Sequence, residues 1–260
     1  MDALHQIDDW DVPFAAAGVT RAGETIATRG DTSHRVRLAS VSKPVTALAT
    51  LVAAEEGVLD LDEPAGPPGS TVRHLLAHTS GLPFEGEAPI APPGRRRIYS
   101  NQGFEALGGH LSGRAEMPFA EYVRAAVVEP LGLALDPEGH PGAGMHAALD
   151  DVLSLGRELL APRLVAEETH AEMVRVQFPG LDGVLPDWGL GVELKGEKTP
   201  HWSGSRTSPS TYGHFGGSGT FLWVDPERGL ACAALTTREF GDWAKQAWPR
   251  LADAVLAELA

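Results

Sequence analysis

Strand-type patterning is confined to the two ends of this 260-residue chain, and a proline-punctuated, helical middle separates them. Near the N-terminus, residues 14–19 and 24–28 flank Arg21-Ala22-Gly23, the pattern of a short hairpin. Near the C-terminus, residues 188–194, 213–224 and 229–237 read as three strands, with Asp225-Pro-Glu-Arg-Gly229 as the turn between the last two. Between the ends, Val41, Val45, Leu48 and Val52 recur every three or four residues and predict a helix from Ser40 to a stop at Gly57. Pro44 fits there because it falls in the first turn. Clusters of Pro and Gly at 64–69, 92–94 and 137–142 then divide helical stretches near 71–78, 101–113, 118–128 and 148–160. An amphipathic helix over 243–259 closes the chain.

This distribution points to an α/β (α+β) fold: an antiparallel β-sheet assembled from both ends and flanked by helices, with the middle inserted as a helical lobe. Residues 1–60 plus 188–260 are expected to form the sheet domain and residues 61–187 the lobe, as a single catalytic unit. Clefts between lobes are where small-molecule sites tend to lie.

Charge and composition remove several classes of function. Against 35 Asp and Glu stand 21 Lys and Arg, a net charge of −14, and the one basic run, Arg95-Arg96-Arg97, is too short to make a footprint for phosphate backbones. No nucleic-acid partner is expected. Residues 1–9 carry neither a basic nor an apolar leader, and no apolar stretch approaches the roughly 18 residues of a membrane span, so a cytoplasmic location without a membrane partner is expected. The single Cys232 lies in the apolar run 230–235 and is expected to fill a core strand, with no internal disulfide.

The chemistry-bearing residues begin with Ser40-Val-Ser-Lys43. On a helix, positions three apart share a face, so the Lys43 amine can reach the Ser40 hydroxyl and take its proton if burial disfavours the ammonium form. Ser42 is a competing nucleophile, although Lys43 beside it diverges around the helix. Tyr99-Ser-Asn101 then places a phenol and a carboxamide two apart in an expected loop, and Gly213-His-Phe-Gly-Gly-Ser-Gly219 forms a glycine-dense strand. Glycine in a strand marks a bulge or the close approach of a backbone or ligand.

Ser-x-x-Lys, Tyr-x-Asn and His-x-Gly in this order resemble the penicillin-recognising serine hydrolases: class C β-lactamases, penicillin-binding-protein-like DD-peptidases, D-aminopeptidases and family VIII-type esterases. Residues 74–83 (HLLAHTSGLP), Pro92-Pro-Gly94, Pro130-Leu-Gly-Leu133, Trp188-Gly-Leu-Gly191 and Val224-Asp-Pro226 extend the likeness over nearly the whole chain. The resemblance implies a β-lactamase/transpeptidase-like fold with no cofactor. It makes Ser40 the acylated nucleophile, Lys43 its base partner and Tyr99 the group that shares the proton and passes it to the leaving group. Asn101 would orient the substrate's acyl amide or ester, and His214 and Gly216 would bind substrate from the opposite strand, His214 contacting its polar end. The backbone N–H groups of Ser40 and Gly217 would form the oxyanion hole.

One departure bears on the substrate. Many β-lactamases of this kind carry Lys-Thr-Gly where this chain has His214-Phe215-Gly216, and losing a cation and a hydroxyl weakens the hold on a lactam carboxylate. A small ester or amide therefore ranks above a lactam, and an esterase or D-peptidase-like hydrolase above a true β-lactamase or D-alanyl carboxypeptidase. A non-catalytic sensor that keeps the pocket is the alternative of another class; intact Ser40, Lys43 and Tyr99 count against it.

Other patterns carry less. His74 and His78 have the spacing of a helical metal pair, but Leu75 follows His74 where a His-Glu-x-x-His site needs its glutamate, so no metal is expected. Neither a Gly-x-Ser-x-Gly elbow nor a phosphate loop is present. His201, Trp202 and Trp188 are candidates for the cleft mouth or for buried aromatics. Asp150-Asp151 reads as a helix N-terminus and Glu167-Glu168 as a solvated face.

Overall fold

The structure, a computed structural model, describes residues 1–181 and 187–259. The strands are β1 (Ala15–Thr20), β2 (Thr25–Arg29), β3 (Val36–Arg37), β4 (His146–Ala147), β5 (Glu193–Leu194), β6 (Tyr212–Gly216), β7 (Thr220–Asp225) and β8 (Leu230–Thr236). Six of them make one antiparallel sheet in the order β2-β1-β8-β7-β6-β5, and β3 and β4 pair separately. The two ends of the chain thus meet in one sheet: β1 lies along β8 from Ala15↔Thr236 to Thr20↔Ala231. The helices are α1 (Ser42–Glu55), α2 (Val72–Leu76), α3 (Asn101–Ala115), α4 (Phe119–Val123), α5 (Glu129–Leu131), α6 (Leu149–Leu160), α7 (Glu167–Met173) and α8 (Asp242–Glu258). Among the described residues, no helix is long and apolar enough to cross a membrane.

The sheet is buried on both faces, so its central strands read as unbroken apolar runs. On β8 the alternation sends Ala231, Ala233 and Leu235 into the core shared with α1 and α6, and Leu230, Cys232 and Ala234 into the core shared with α8 and the N-terminal 3-10 turn. Cys232 is fully buried and free, as its setting in the sequence suggests. Helix α6 lies close on the sheet because Gly156 faces Ala231; a Cβ at 156 would stand 3.0 Å from that methyl. Asp150 and Asp151 sit in its first turn, where Asp151 accepts from the Ala148 N–H at 3.0 Å.

Three expected elements form differently. Residues 213–224 are two strands, β6 and β7, joined by a tight turn with Gly219 at φ +86°. The glycines that suggested a continuous strand are what allow the turn. Of residues 188–194 only β5 is strand, with one bridge from Trp188 to Glu193. Gly191 has φ +78° and rests against Ala47 of α1, and Gly189 against the Met173 carbonyl, so this stretch is a turn pressed on helices. Third, α1 begins at Ser42, and Ser40 lies in the 3-10 turn Ala39–Val41 that leads into it.

Gly216 fixes how the sheet meets that turn. A Cβ there would overlap the Leu38 carbonyl oxygen and the Thr220 hydroxyl, whereas a Cβ on Gly217 would meet nothing within 4 Å. Gly216→Ala should therefore lower the unfolding free energy by about 1–3 kcal/mol, the usual range for forced overpacking. Gly217→Ala should leave it nearly unchanged, and urea unfolding of the two variants measures the contrast.

Candidate active site

Four chain segments converge on Ser40. The hairpin turn after β6 holds the approach to it: Ser218 Oγ donates to the Arg37 carbonyl at 2.7 Å and Thr220 Oγ1 to the Leu38 carbonyl at 2.7 Å. Ala39, the next residue, has φ +47°, a conformation that costs a residue with a Cβ and persists only where the surroundings hold it. Ser40 remains partly exposed at the meeting of two cavities, of about 930 and 410 Å³. Ser42, the competing serine, is fully buried and its Oγ accepts from the Met145 N–H at 3.2 Å.

Lys43 lies on the first turn of α1 and is fully buried. Its Nζ stands 2.7 Å from Asn101 Oδ1, 2.9 Å from the Gly142 carbonyl and 3.2 Å from Ser40 Oγ. The first two are acceptors only, so they must receive N–H donations. A neutral amine has two such hydrogens and one lone pair, and the lone pair is then left for the one partner able to donate, the Ser40 hydroxyl. Burial pushes Lys43 down to about 7, which makes the neutral form accessible near neutral pH. The turn that supplies the Gly142 carbonyl is held by its neighbour, because Thr46 Oγ1 donates to the Pro141 carbonyl at 2.6 Å.

Tyr99 is placed by His78. The Ile98 N–H donates to the His78 carbonyl at 2.8 Å and the Ser100 N–H to His78 Nδ1 at 3.1 Å, so one residue grips the chain on both sides of the phenol. Ser100 caps α3, accepting from the Gly103 N–H at 2.7 Å, so Asn101 is the first residue of that helix and not part of a loop. The Tyr99 ring lies 4.7 Å from Lys43 Nζ. Burial raises the Tyr99 pKa above the usual phenol range, outweighing the nearby Ser40 hydroxyl, which acts the other way.

His214 borders the smaller cavity and turns Nε2 toward Tyr99. Its Nδ1 is 2.7 Å from the Phe215 carbonyl, which can only accept, so the proton sits on Nδ1 and Nε2 is free to accept from the Tyr99 hydroxyl at 3.3 Å. Burial, helped by the Lys43 charge, pushes His214 down to about 3, so the ring is neutral where a third-motif lysine would be charged. The expected close approach at Gly216 is made by the chain's own Leu38–Ala39 backbone, while Gly217 is exposed and borders both cavities.

The structure thus brings Ser40, Lys43, Tyr99, Asn101, His214 and Gly217 together and gives Gly216 a packing role. His74 and His78 serve different partners: His74 Nδ1 pairs with Thr71 Oγ1 at 2.8 Å, and the His78 ring is buried against Tyr99, Phe104 and Trp188. Trp188 borders the smaller cavity; His201 is buried and Trp202 half-buried against Phe215. Sequence reasoning missed Gly142, Ser218, Thr220, Phe84 and Glu193. The two hydroxyls beside the glycine turn and the acidic residue in an apolar segment were available signals; a backbone carbonyl such as that of Gly142 has none.

An antiparallel sheet from both chain ends, with these three motifs at one cleft, defines the serine β-lactamase and penicillin-binding-protein-like superfamily. The model of the family described as Beta-lactamase matches residues 5–135 and 133–257, and the chain belongs to that family. A beta-lactamase from Mycobacterium bovis, known from its crystal structure, is 49% identical with a TM-score of 0.97, and the match covers 99% of each chain. Esterase EstB of Burkholderia gladioli is 26% identical over 327 aligned positions, covering 85% of this chain and 82% of that protein. Penicillin-binding protein 4* of Bacillus subtilis (strain 168) is 29% identical over 135 residues, which are 39% of this chain and 30% of that protein. This chain therefore spans less than a third of that relative. The family and these relatives are consistent with serine hydrolase activity.

The buried amine also has a stability signature. The unfolded chain keeps the Lys43 proton up to about its ordinary 10.5, while the folded one sheds it at about 7. In that window the unfolded state binds more protons, so this residue makes the unfolding free energy rise with pH. Urea unfolding at pH 7 and pH 10 should show a steeper rise for the wild type than for Lys43→Met.

Proposed function

We propose that the protein is a serine hydrolase that transfers the acyl group of a small ester or amide to water through a covalent ester on Ser40. Neutral Lys43 takes the hydroxyl proton as Ser40 Oγ attacks the substrate carbonyl carbon. The backbone N–H groups of Ser40 and Gly217, both bordering the two cavities, stabilise the oxyanion. As the tetrahedral intermediate collapses, the proton passes from Lys43 by way of Tyr99 to the leaving oxygen or nitrogen, and the C–O or C–N bond breaks. Water then attacks the acyl-Ser40 ester, losing its proton to the same pair, and Ser40 recovers a proton as the acid leaves. Asn101 keeps one amine hydrogen engaged throughout, and His214 orients the Tyr99 hydroxyl.

The observation that carries this reading is the Lys43 environment: two obligate acceptors and one serine around a fully buried amine. Neutral His214 at the third motif favours esters and amides over substrates that need a cation to hold a carboxylate. The 49% identical beta-lactamase from Mycobacterium bovis favours a second reading, hydrolysis of a lactam ring. A panel of short p-nitrophenyl esters, D-amino-acid amides and a chromogenic cephalosporin separates the two, and a cephalosporin turned over far faster than the esters would reverse the ranking.

A fluorophosphonate should leave a stable adduct on Ser40 by mass spectrometry, and Ser40→Ala should abolish both adduct and turnover. Lys43→Ala should slow acylation by about 10²–10⁴, the usual worth of a positioned base. In the wild type the labelling rate should climb with pH through a midpoint near 7, where the amine loses its proton. An adduct elsewhere, or ester turnover retained in Ser40→Ala, would falsify the assignment.

A further inference from the structure

The smaller cavity at Ser40, about 410 Å³, has aromatic walls formed by Phe84, Tyr99, Trp188 and Phe215, with one acidic side chain, Glu193, set among them. A carboxylate in an apolar wall is costly unless donors hold it. Three do. Trp202 Nε1 donates to Oε2 at 2.9 Å, His201 Nε2 lies 3.3 Å from Oε1, and Lys198 Nζ lies 3.5 Å from Oε1. The Ser203 N–H points at His201 Nδ1 at 3.3 Å, so the His201 proton sits on Nε2 and is directed at Glu193. Burial works to raise the Glu193 pKa, but His201, Lys198 and Trp202 outweigh it and hold the group below the usual carboxylate range.

The arrangement leaves Glu193, although ion-paired with Lys198, as the charged side chain in the cavity lining. Two carboxylate oxygens offer about four acceptor directions, three of which are filled, and the side chain still borders the cavity. Lys198 does not line it. His214, which does, is neutral, and Tyr99 stays a phenol. Aromatic faces beside a carboxylate form the environment that attracts an organic cation, because each ring presents a negative face and the carboxylate supplies the counter-charge. The catalytic machinery described above makes no use of Glu193.

We propose that this cavity is an ammonium subsite, in which Glu193 and the surrounding rings take the alkylammonium end of the substrate while its carbonyl lies at Ser40. The proposal names the substrate class of the serine hydrolase reading and rests on it for the position of the carbonyl.

Binding and turnover test it separately. Calorimetric titration of the intact protein should give a dissociation constant for hexylammonium chloride about tenfold below that for 1-hexanol, a difference that a desolvated cation–π and ion contact can supply. Glu193→Gln should erase that difference. In turnover, two matched pairs differ only in charge: choline butyrate with 3,3-dimethylbutyl butyrate, and p-nitrophenyl 6-aminohexanoate with p-nitrophenyl heptanoate. In at least one pair kcat/KM should favour the cation by about tenfold, and the ratio should fall to near unity in Glu193→Gln. Equal binding of hexylammonium and hexanol by the wild type overturns the subsite, whatever the variant does, and so does a cation-to-neutral ratio left unaltered by Glu193→Gln. Ammonium-selective binding without hydrolysis of any ester or any Ser40 adduct would keep the subsite and reject the hydrolase.

Discussion

Burial of one amine governs the arrangement of everything around it. Lys43 enters the interior on the first turn of α1, and the fold surrounds its nitrogen with groups that satisfy it as a neutral amine: a carboxamide oxygen from the start of α3, a carbonyl from the 141–142 turn and the Ser40 hydroxyl. Each comes from a different part of the chain, so the contact ties them to one point. An ammonium in water would need none of this. The site is the result of withholding solvent from a group that ordinarily keeps it, and the resulting instability of the charged form is what makes the nitrogen basic toward its neighbour.

The sheet sets where that neighbour stands. Gly216 lets β6 approach the Leu38–Ala39 backbone, and Ser218 and Thr220 fasten the two carbonyls that precede the strained Ala39 turn. Ser40 is therefore positioned by hydrogen bonds from the sheet, while Lys43 is positioned by the helix that follows. His78 performs a comparable task across the cleft, gripping the chain on both sides of Tyr99 with its carbonyl and its ring.

The parts of this site visible in the sequence are those whose side chains announce their chemistry at short spacing. Ser40 and Lys43 three apart, Tyr99 and Asn101 two apart, and His214 before Gly216 and Gly217 could be selected from residue type and order. The sheet built from both ends was legible too, because short apolar runs bounded by turn residues mark both β1 and β8. What escaped was the work done by backbone: the Gly142 carbonyl, the turn that splits 213–224, and the bend at Gly189–Gly191 that presses on α1 and Met173. Glycine has the same letter in a turn, in a bulge and beneath a neighbouring strand, and only the tertiary partner decides which it is. Glu193 was passed over because its meaning depends on Trp202, His201 and Lys198, which meet it only in the folded state.

The pairing of β1 with β8 also has a kinetic meaning. Thr20 finds its partner at Ala231, so the central strand pair closes only after the chain has been synthesised as far as β8. Helix α6 also waits for β8, against which Gly156 packs, and the turn that secures Ser40 lies between β6 and β7. A ribosome-bound chain stalled before β6 would hold the amine, the phenol and the carboxamide without the hairpin that fixes the serine, so chemical competence would arrive only with the closing of the sheet.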